Sequence, residues 1–137
     1  YSLINKIIAN NMTEKLLTDL LVPTKIYVKE ILELLDHVEA NGMAHITGGG
    51  FEENLSRVSN GLTINIDRSR WQLPKIFRDI QDLGNIETEE MFRVFNCGIG
   101  YAVVLSEANA KKAKTLNSEF IEIGFVSKKE DFTFKYI

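Results

Sequence analysis

At 137 residues the chain has the length of one domain, able to bury roughly two thirds of its unfolded surface around a single core. A hydrophobic content of 45%, a charged content of 26% and a net charge of -3 are ordinary for a soluble globular domain, and they supply no electrostatic reason to expect nucleic acid or an anionic membrane as partner. Cys97 is the only cysteine, which excludes an intrachain disulfide and a metal-thiolate site. The longest apolar runs, such as Ile99 to Leu105, fall far short of the roughly 20 residues of a membrane helix, and no signal-peptide pattern opens the chain. A soluble cytoplasmic protein is expected, and the start at Tyr1 rather than methionine suggests a piece of a longer polypeptide.

In chain order, Leu3, Ile4, Ile7 and Ile8 recur at helical spacing, and Leu16, Leu17, Leu20 and Leu21 repeat the pattern after Asn10-Asn11. Thr13 is placed to cap the second helix, and Pro23 stops it. A connector from Leu21 to Tyr27 leads into a third helix over Val28 to Glu39, closed by Asn41-Gly42. A short strand, Ala44 to Ile46, precedes three consecutive glycines and a helical turn over Phe51 to Leu55. Leu62, Ile64 and Ile66 then alternate with Thr63, Asn65 and Asp67, the period of a half-buried strand. Pro74 opens a helix to about Leu83, and Thr88-Glu89-Glu90 opens another with Met91, Phe92 and Phe95 on its apolar side. Ile99 to Leu105 reads as a central strand buried on both faces, Glu107 to Leu116 as a helix, Phe120 to Val126 as a strand, and Phe132, Phe134 and Tyr136 as an edge strand or tail. Without strict βα alternation the fold class is α+β: a mixed or mostly antiparallel sheet of four to five strands with helices packed on it. Its expected core includes Ile31, Leu35, Ile64, Ile66, Phe77, Val103 and Ile123.

The chemistry concentrates around His45-Ile46-Thr47-Gly48-Gly49-Gly50-Phe51. Glycine tolerates positive φ and has no side chain, so successive N–H groups can converge on an anion, and the helix start behind them would point at the same spot. A tight strand-to-helix turn without ligand is the competing reading, and neither a Walker loop nor the dinucleotide glycine spacing is present. His45 is either a donor or proton carrier beside the loop, or a buried strand histidine bonded to backbone. Arg93 and Asn96, just before Gly98-Ile99-Gly100, suit bidentate contact with an anion or a structural salt bridge. Glu87, Glu89 and Glu90 could serve a metal or acid-base role, but clustered carboxylates are also what a helix start favours. Trp71, Phe77 and Phe95 read as packing. Cys97 has no local histidine to activate it.

Together, Pro23-Thr24-Lys25-Ile26-Tyr27-Val28, His45 to Gly50 with Glu53-Asn54-Leu55 and Arg57-Val58, Trp71 to Phe77, and Glu90-Met91-Phe92-Arg93-Val94-Phe95-Asn96-Cys97-Gly98-Ile99-Gly100 resemble the C-terminal half of the phosphoribosylformylglycinamidine cyclo-ligase family, also called aminoimidazole ribonucleotide synthetases. The resemblance spans nearly the whole chain. Departures are Phe92 for a common tyrosine, Val94 for threonine and Tyr101 for methionine. It implies that residues 1–137 form one C-terminal domain whose glycine loop faces a cleft toward an N-terminal domain. That N-terminal domain, absent from this chain, carries most of the ATP-binding and dimer-forming elements. It further implies closure of formylglycinamidine ribonucleotide to 5-aminoimidazole ribonucleotide with ATP and Mg²⁺, releasing ADP and phosphate in purine biosynthesis. Gly48, Gly49 and Gly50 would hold the substrate phosphate or transferred phosphoryl group, with His45, Thr47 and Asn54 as neighbouring donors and Arg93 and Asn96 as cleft residues. No metal ligand is expected in this chain, and no catalytic base can be named. The full-length protein is expected to be a homodimer without nucleic-acid or membrane partner, and the isolated domain to be inactive. The alternatives are a non-catalytic phosphate-binding or interaction module, or a related ATP-using synthetase or kinase of the same superfamily.

Overall fold

The computed structural model describes residues 13–128 and 134–137. The helix expected around Leu3 to Ile8 and the position of Phe132 lie outside the described residues. Thr13 begins helix α1 (Glu14–Leu20) by accepting a hydrogen bond from the Leu16 N–H at 3.1 Å, the capping arrangement its hydroxyl permits. After the connector, α2 runs over Val28–Leu35. It is shorter than the expected Val28 to Glu39, because the His37 and Val38 N–H groups both fold back onto the Leu34 carbonyl and tighten the last turn. Gly42 therefore does not end a helix; it begins strand β1 (Gly42–His45).

Helix α3 (Gly50–Ser56) follows the glycine loop, then strand β2 (Thr63–Ile66) and a 3-10 turn over Arg68–Arg70. Helix α4 (Lys75–Gly84) has Pro74 at its cap position and ends at Asn85 in the left-handed conformation, and α5 (Thr88–Val94) follows directly. Strand β3 (Tyr101–Val104), helix α6 (Glu107–Leu116), strand β4 (Gly124–Ser127) and strand β5 (Phe134–Tyr136) complete the described elements. Ser106 caps α6 through the Asn109 N–H, so this helix begins and ends where its sequence places it.

The strands form two sheets. In one, β1 pairs antiparallel with β3 from Gly42↔Val104 to His45↔Tyr101. In the other, the order is β4-β2-β5, with β2 antiparallel to β4 and parallel to β5. The α+β class with a mixed, mostly antiparallel pairing is the observed one, but two strands exchange roles. Strand β2, expected to be half-buried, is the central strand of its sheet and all four of its residues are buried. Its Asn65 tolerates this because its amide donates to the Thr63 and Phe125 carbonyls and to the Ser127 hydroxyl. Strand β3, expected to be central and buried on both faces, pairs only with β1 among the described residues and is half-buried throughout.

The β1–β3 sheet separates two apolar clusters. Ala44, Ile46 and Ala102 face the main one, which also holds Phe51, Leu55, Ile64, Ile66, Ile80, Met91 and Phe92. Val103 and Leu105 face a smaller one built on Leu34, Val38 and Ala113. Of the expected core, Ile64 and Ile66 are buried, whereas Ile31, Leu35, Phe77, Val103 and Ile123 are partly buried. The single core expected from chain length is thus two clusters on either side of one thin sheet. Aromatic packing follows expectation: Trp71 stacks on Phe51 at 5.6 Å between ring centroids and donates its indole N–H to the Cys97 carbonyl, and Phe77 meets Phe95 at 6.0 Å.

Candidate functional site

The glycine loop leaves the open end of the β1–β3 sheet. One further ladder bond, from the Ile46 N–H to the Gly100 carbonyl at 2.8 Å, carries the chain past β1 before it turns. Gly49 and Gly50 then adopt φ of 89° and 58°, a region L side chains rarely enter. Asn54, on the buried face of α3, donates its amide to the Gly50 carbonyl at 2.7 Å and to the Gly48 carbonyl at 3.3 Å. Its donors brace the loop from beneath.

The three glycines do different things. A Cβ on Gly50 would overlap the Phe92 carbonyl oxygen and lie 2.8 Å from that of Arg93, so α3 can seat on the end of α5 only with glycine there. At Gly49 the obstacle is the Glu53 side chain, whose carboxylate lies over the loop and is paired with Arg57. Gly48 has neither constraint: its φ is not positive and nothing lies within 4 Å of the position a Cβ would take. The Gly50 N–H is used by the Thr47 carbonyl at 3.2 Å, whereas the N–H groups of Gly48 and Gly49 have no acceptor among the described residues. The open part of the loop is therefore Gly48 and its neighbour's N–H, not the helix start.

His45 is exposed, not a buried strand histidine. Strand alternation buries Ala44 and Ile46 and turns His45 and Thr47 the other way. Its ring lies 6.0 Å from Tyr101, its cross-strand partner, and 6.1 Å from Tyr27. Tyr27 in turn lies across Gly100, where a Cβ would overlap its hydroxyl. Sequence alone marks neither tyrosine as a site residue, the one signal being that Tyr27 belongs to the Pro23 to Val28 motif. Nor does sequence mark Glu53, whose place over Gly49 depends on the turn geometry.

Of Arg93 and Asn96, Arg93 meets the loop, through its carbonyl rather than its side chain. The end of α5 abuts Gly50, but the Arg93 guanidinium is held in two hydrogen bonds by Glu90, at 2.6 and 2.7 Å. That pairing holds the Glu90 carboxyl below its usual range. Asn96 accepts from the Gly98 N–H at 3.1 Å and shapes its own turn. Cys97 is buried and its thiol is pushed up to about 12 by burial, which removes it as a nucleophile. No group of three or more His, Cys, Asp and Glu side chains among the described residues could hold a metal ion. Nor is any helix among them long and apolar enough to cross a membrane.

A cleft of about 790 Å³ opens between the two sheets, with Leu55, Ile64 and Val103 among its walls and Tyr27, Gly100 and Tyr101 on its lining. His45 and the loop glycines do not line it. Gly100, whose carbonyl accepts the Ile46 N–H, and Tyr101, opposite His45, connect the cleft to the start of the loop.

The described residues thus form an α+β domain with a braced glycine turn on which two backbone N–H groups have no acceptor among them. The family model described as AIR synthase related protein, C-terminal domain, matches residues 1–137, and the chain belongs to that family. It is 50% identical over 109 residues to a phosphoribosylformylglycinamidine cyclo-ligase of Bacillus cytotoxicus, covering 79% of this chain and 31% of that protein. A protein of the same name from Geotalea daltonii is 48% identical over 109 residues, with the same shares covered, 79% and 31%. A third, from Chromobacterium violaceum, is 45% identical over 129 residues, covering 87% of this chain and 37% of the relative. The chain spans about a third of the length of the curated relatives it matches.

Proposed function

We propose that residues 1–137 act as one C-terminal domain of a phosphoribosylformylglycinamidine cyclo-ligase, with the loop from Thr47 to Gly50 holding a phosphate of the substrate or the phosphoryl group in transfer. The observation that carries the loop assignment is Gly48. Gly49 and Gly50 are demanded by φ and by close approach, but Gly48 has no conformational or steric reason to lack a side chain, and its own N–H and that of Gly49 have no acceptor among the described residues. A bound anion supplies that reason. The likeness to three proteins named cyclo-ligase supports the reaction.

The reaction joins ATP and formylglycinamidine ribonucleotide and yields ADP, phosphate and 5-aminoimidazole ribonucleotide, the formyl oxygen leaving with the phosphate. Within this scheme the chain's own residues position the substrate. Gly48 and Gly49 donate backbone N–H groups, Asn54 fixes the loop through the Gly48 and Gly50 carbonyls, and exposed His45 and Thr47 flank the approach. Arg93 and Asn96 border the loop as cleft residues. Glu53 competes with an anion at Gly49, so the anion enters from the Gly48 side. ATP with its Mg²⁺ is assigned to the N-terminal portion of the longer polypeptide. The same proposal includes a homodimer of that polypeptide, cytoplasmic residence, no nucleic-acid or membrane partner, and no turnover by the isolated domain.

The test is Gly48→Val in the full-length cyclo-ligase carrying this domain. Substrate affinity and ADP release should fall at least about tenfold, while the melting temperature changes little because nothing lies within 4 Å of the added Cβ. A folded variant with unchanged affinity and turnover would remove the loop from the site.

A further inference from the structure

The most exposed large apolar side chains of the described residues are concentrated in one stretch of chain. Ile26 is 78% exposed, Leu21 71%, Val22 68%, Val28 62% and Leu32 59%, with Leu17 at 41%. Leu17 and Leu21 are one turn apart at the end of α1, and Val28 and Leu32 one turn apart on α2, so each helix presents an i,i+4 apolar pair at either end of an apolar connector. Fraying does not explain this exposure, because the connector is tied down from its inner side. The Lys25 ammonium reaches Glu119 at 3.2 Å and Glu30 at 3.4 Å. Tyr27 is seated over Gly100 and lies against His45 and Tyr101. Polar and aromatic anchors hold the backbone to the domain while Leu21, Val22 and Ile26 remain open. Exposed apolar surface of this kind marks an interaction face.

What covers it follows from the length of the relatives. This chain accounts for only 31% to 37% of each of them, and the matched family is a C-terminal domain. We propose that the stripe from Leu17 to Leu32 is the seat of the N-terminal portion of the family's polypeptide, and that Leu21 and Ile26 are its central anchors. The proposal rests on family membership and does not depend on phosphate binding by the glycine loop.

The experiment compares the 137-residue chain with a full-length chimera in which it replaces the matched third of the Bacillus cytotoxicus relative. Amide hydrogen exchange over residues 21–32 should slow about tenfold or more in the chimera, while residues 124–127 exchange alike in both. The double variant Leu21→Asp/Ile26→Asp should erase that protection in the chimera, and Phe125→Asp, also exposed but on β4, should leave it intact. Equal exchange over residues 21–32 in the two proteins would overturn the proposal. So would concentration-dependent protection and dimeric sedimentation of the 137-residue chain alone, which would assign the face to a second copy. In the isolated chain the double variant should melt within about 2 °C of the parent, and a loss beyond about 5 °C would show that the stripe packs within the domain itself and would equally overturn it.

Discussion

Two glycine-rich turns, Gly48-Gly49-Gly50 and Gly98-Ile99-Gly100, meet at the same end of the β1–β3 sheet and look alike in sequence, but only the first holds a glycine that neither backbone conformation nor packing among the described residues requires. In the second turn, Gly98 has φ of 96° and a Cβ there would lie 2.6 Å from Pro74, while Gly100 makes room for the Tyr27 ring. In that turn the Gly98 N–H donates to the Asn96 side chain and the Ile99 N–H to the Asn96 carbonyl at 2.9 Å. In the first turn, Gly49 and Gly50 are similarly accounted for, but Gly48 is not, and it lies beside the Gly49 N–H, which has no acceptor among the described residues. A count of glycines therefore says little about function. The informative residue is the glycine that remains when conformation and packing have explained the others.

The comparison is broken most severely at Gly50. Gly50→Ala places a methyl group on the Phe92 carbonyl in a left-handed conformation, and it should cost about 3 kcal/mol or more, read as a lowered denaturation midpoint. A cost below about 1 kcal/mol would show that α3 and α5 can separate without penalty. Asn54→Ala should cost about 1 to 3 kcal/mol by removing the donors to the Gly48 and Gly50 carbonyls, and it should raise backbone mobility across residues 47–50 without affecting residues 96–100. If both turns loosened equally, the brace would not be local.

A third test uses Cys97, which lies inside the second turn. Because burial raises its thiol from the ordinary 9.0 to about 12, the folded state favours the protonated form. Its contribution to stability is complete below pH 9 and is lost as pH rises from 9 toward 12. Alkylation by iodoacetamide at pH 8 should accordingly track global unfolding; rapid labelling of the native protein would show an open second turn. The smallest effect on stability belongs to Gly48→Ala, within about 0.5 kcal/mol of the parent and on the stabilising side if the flexibility of the unfolded chain dominates. A large loss of stability there would give Gly48 a structural reason and dissolve the contrast between the two turns.

Periodicity and capping fixed the elements locally. Thr13, Pro74 and Ser106 start helices where their side chains dictate, and the Glu107 to Leu116 helix matches its sequence reading residue for residue. The family, the α+β class and the glycine loop were equally legible, because each depends on residues adjacent or regularly spaced along the chain. Tertiary structure decided the roles of the strands. Thr63 and Asn65 look like the solvent face of a strand, yet pairing with β4 on one side and β5 on the other buries them, and Asn65 survives there only because distant Phe125 and Ser127 accept its protons. The apolar run from Ile99 to Leu105 looks like a central strand, yet its two faces serve two separate clusters in a two-stranded sheet. Tertiary structure likewise decided which glycine is free. The obstacle to a side chain at Gly50 is a carbonyl more than 40 residues away, and no local pattern carries the position of an atom brought in by the packing of another helix.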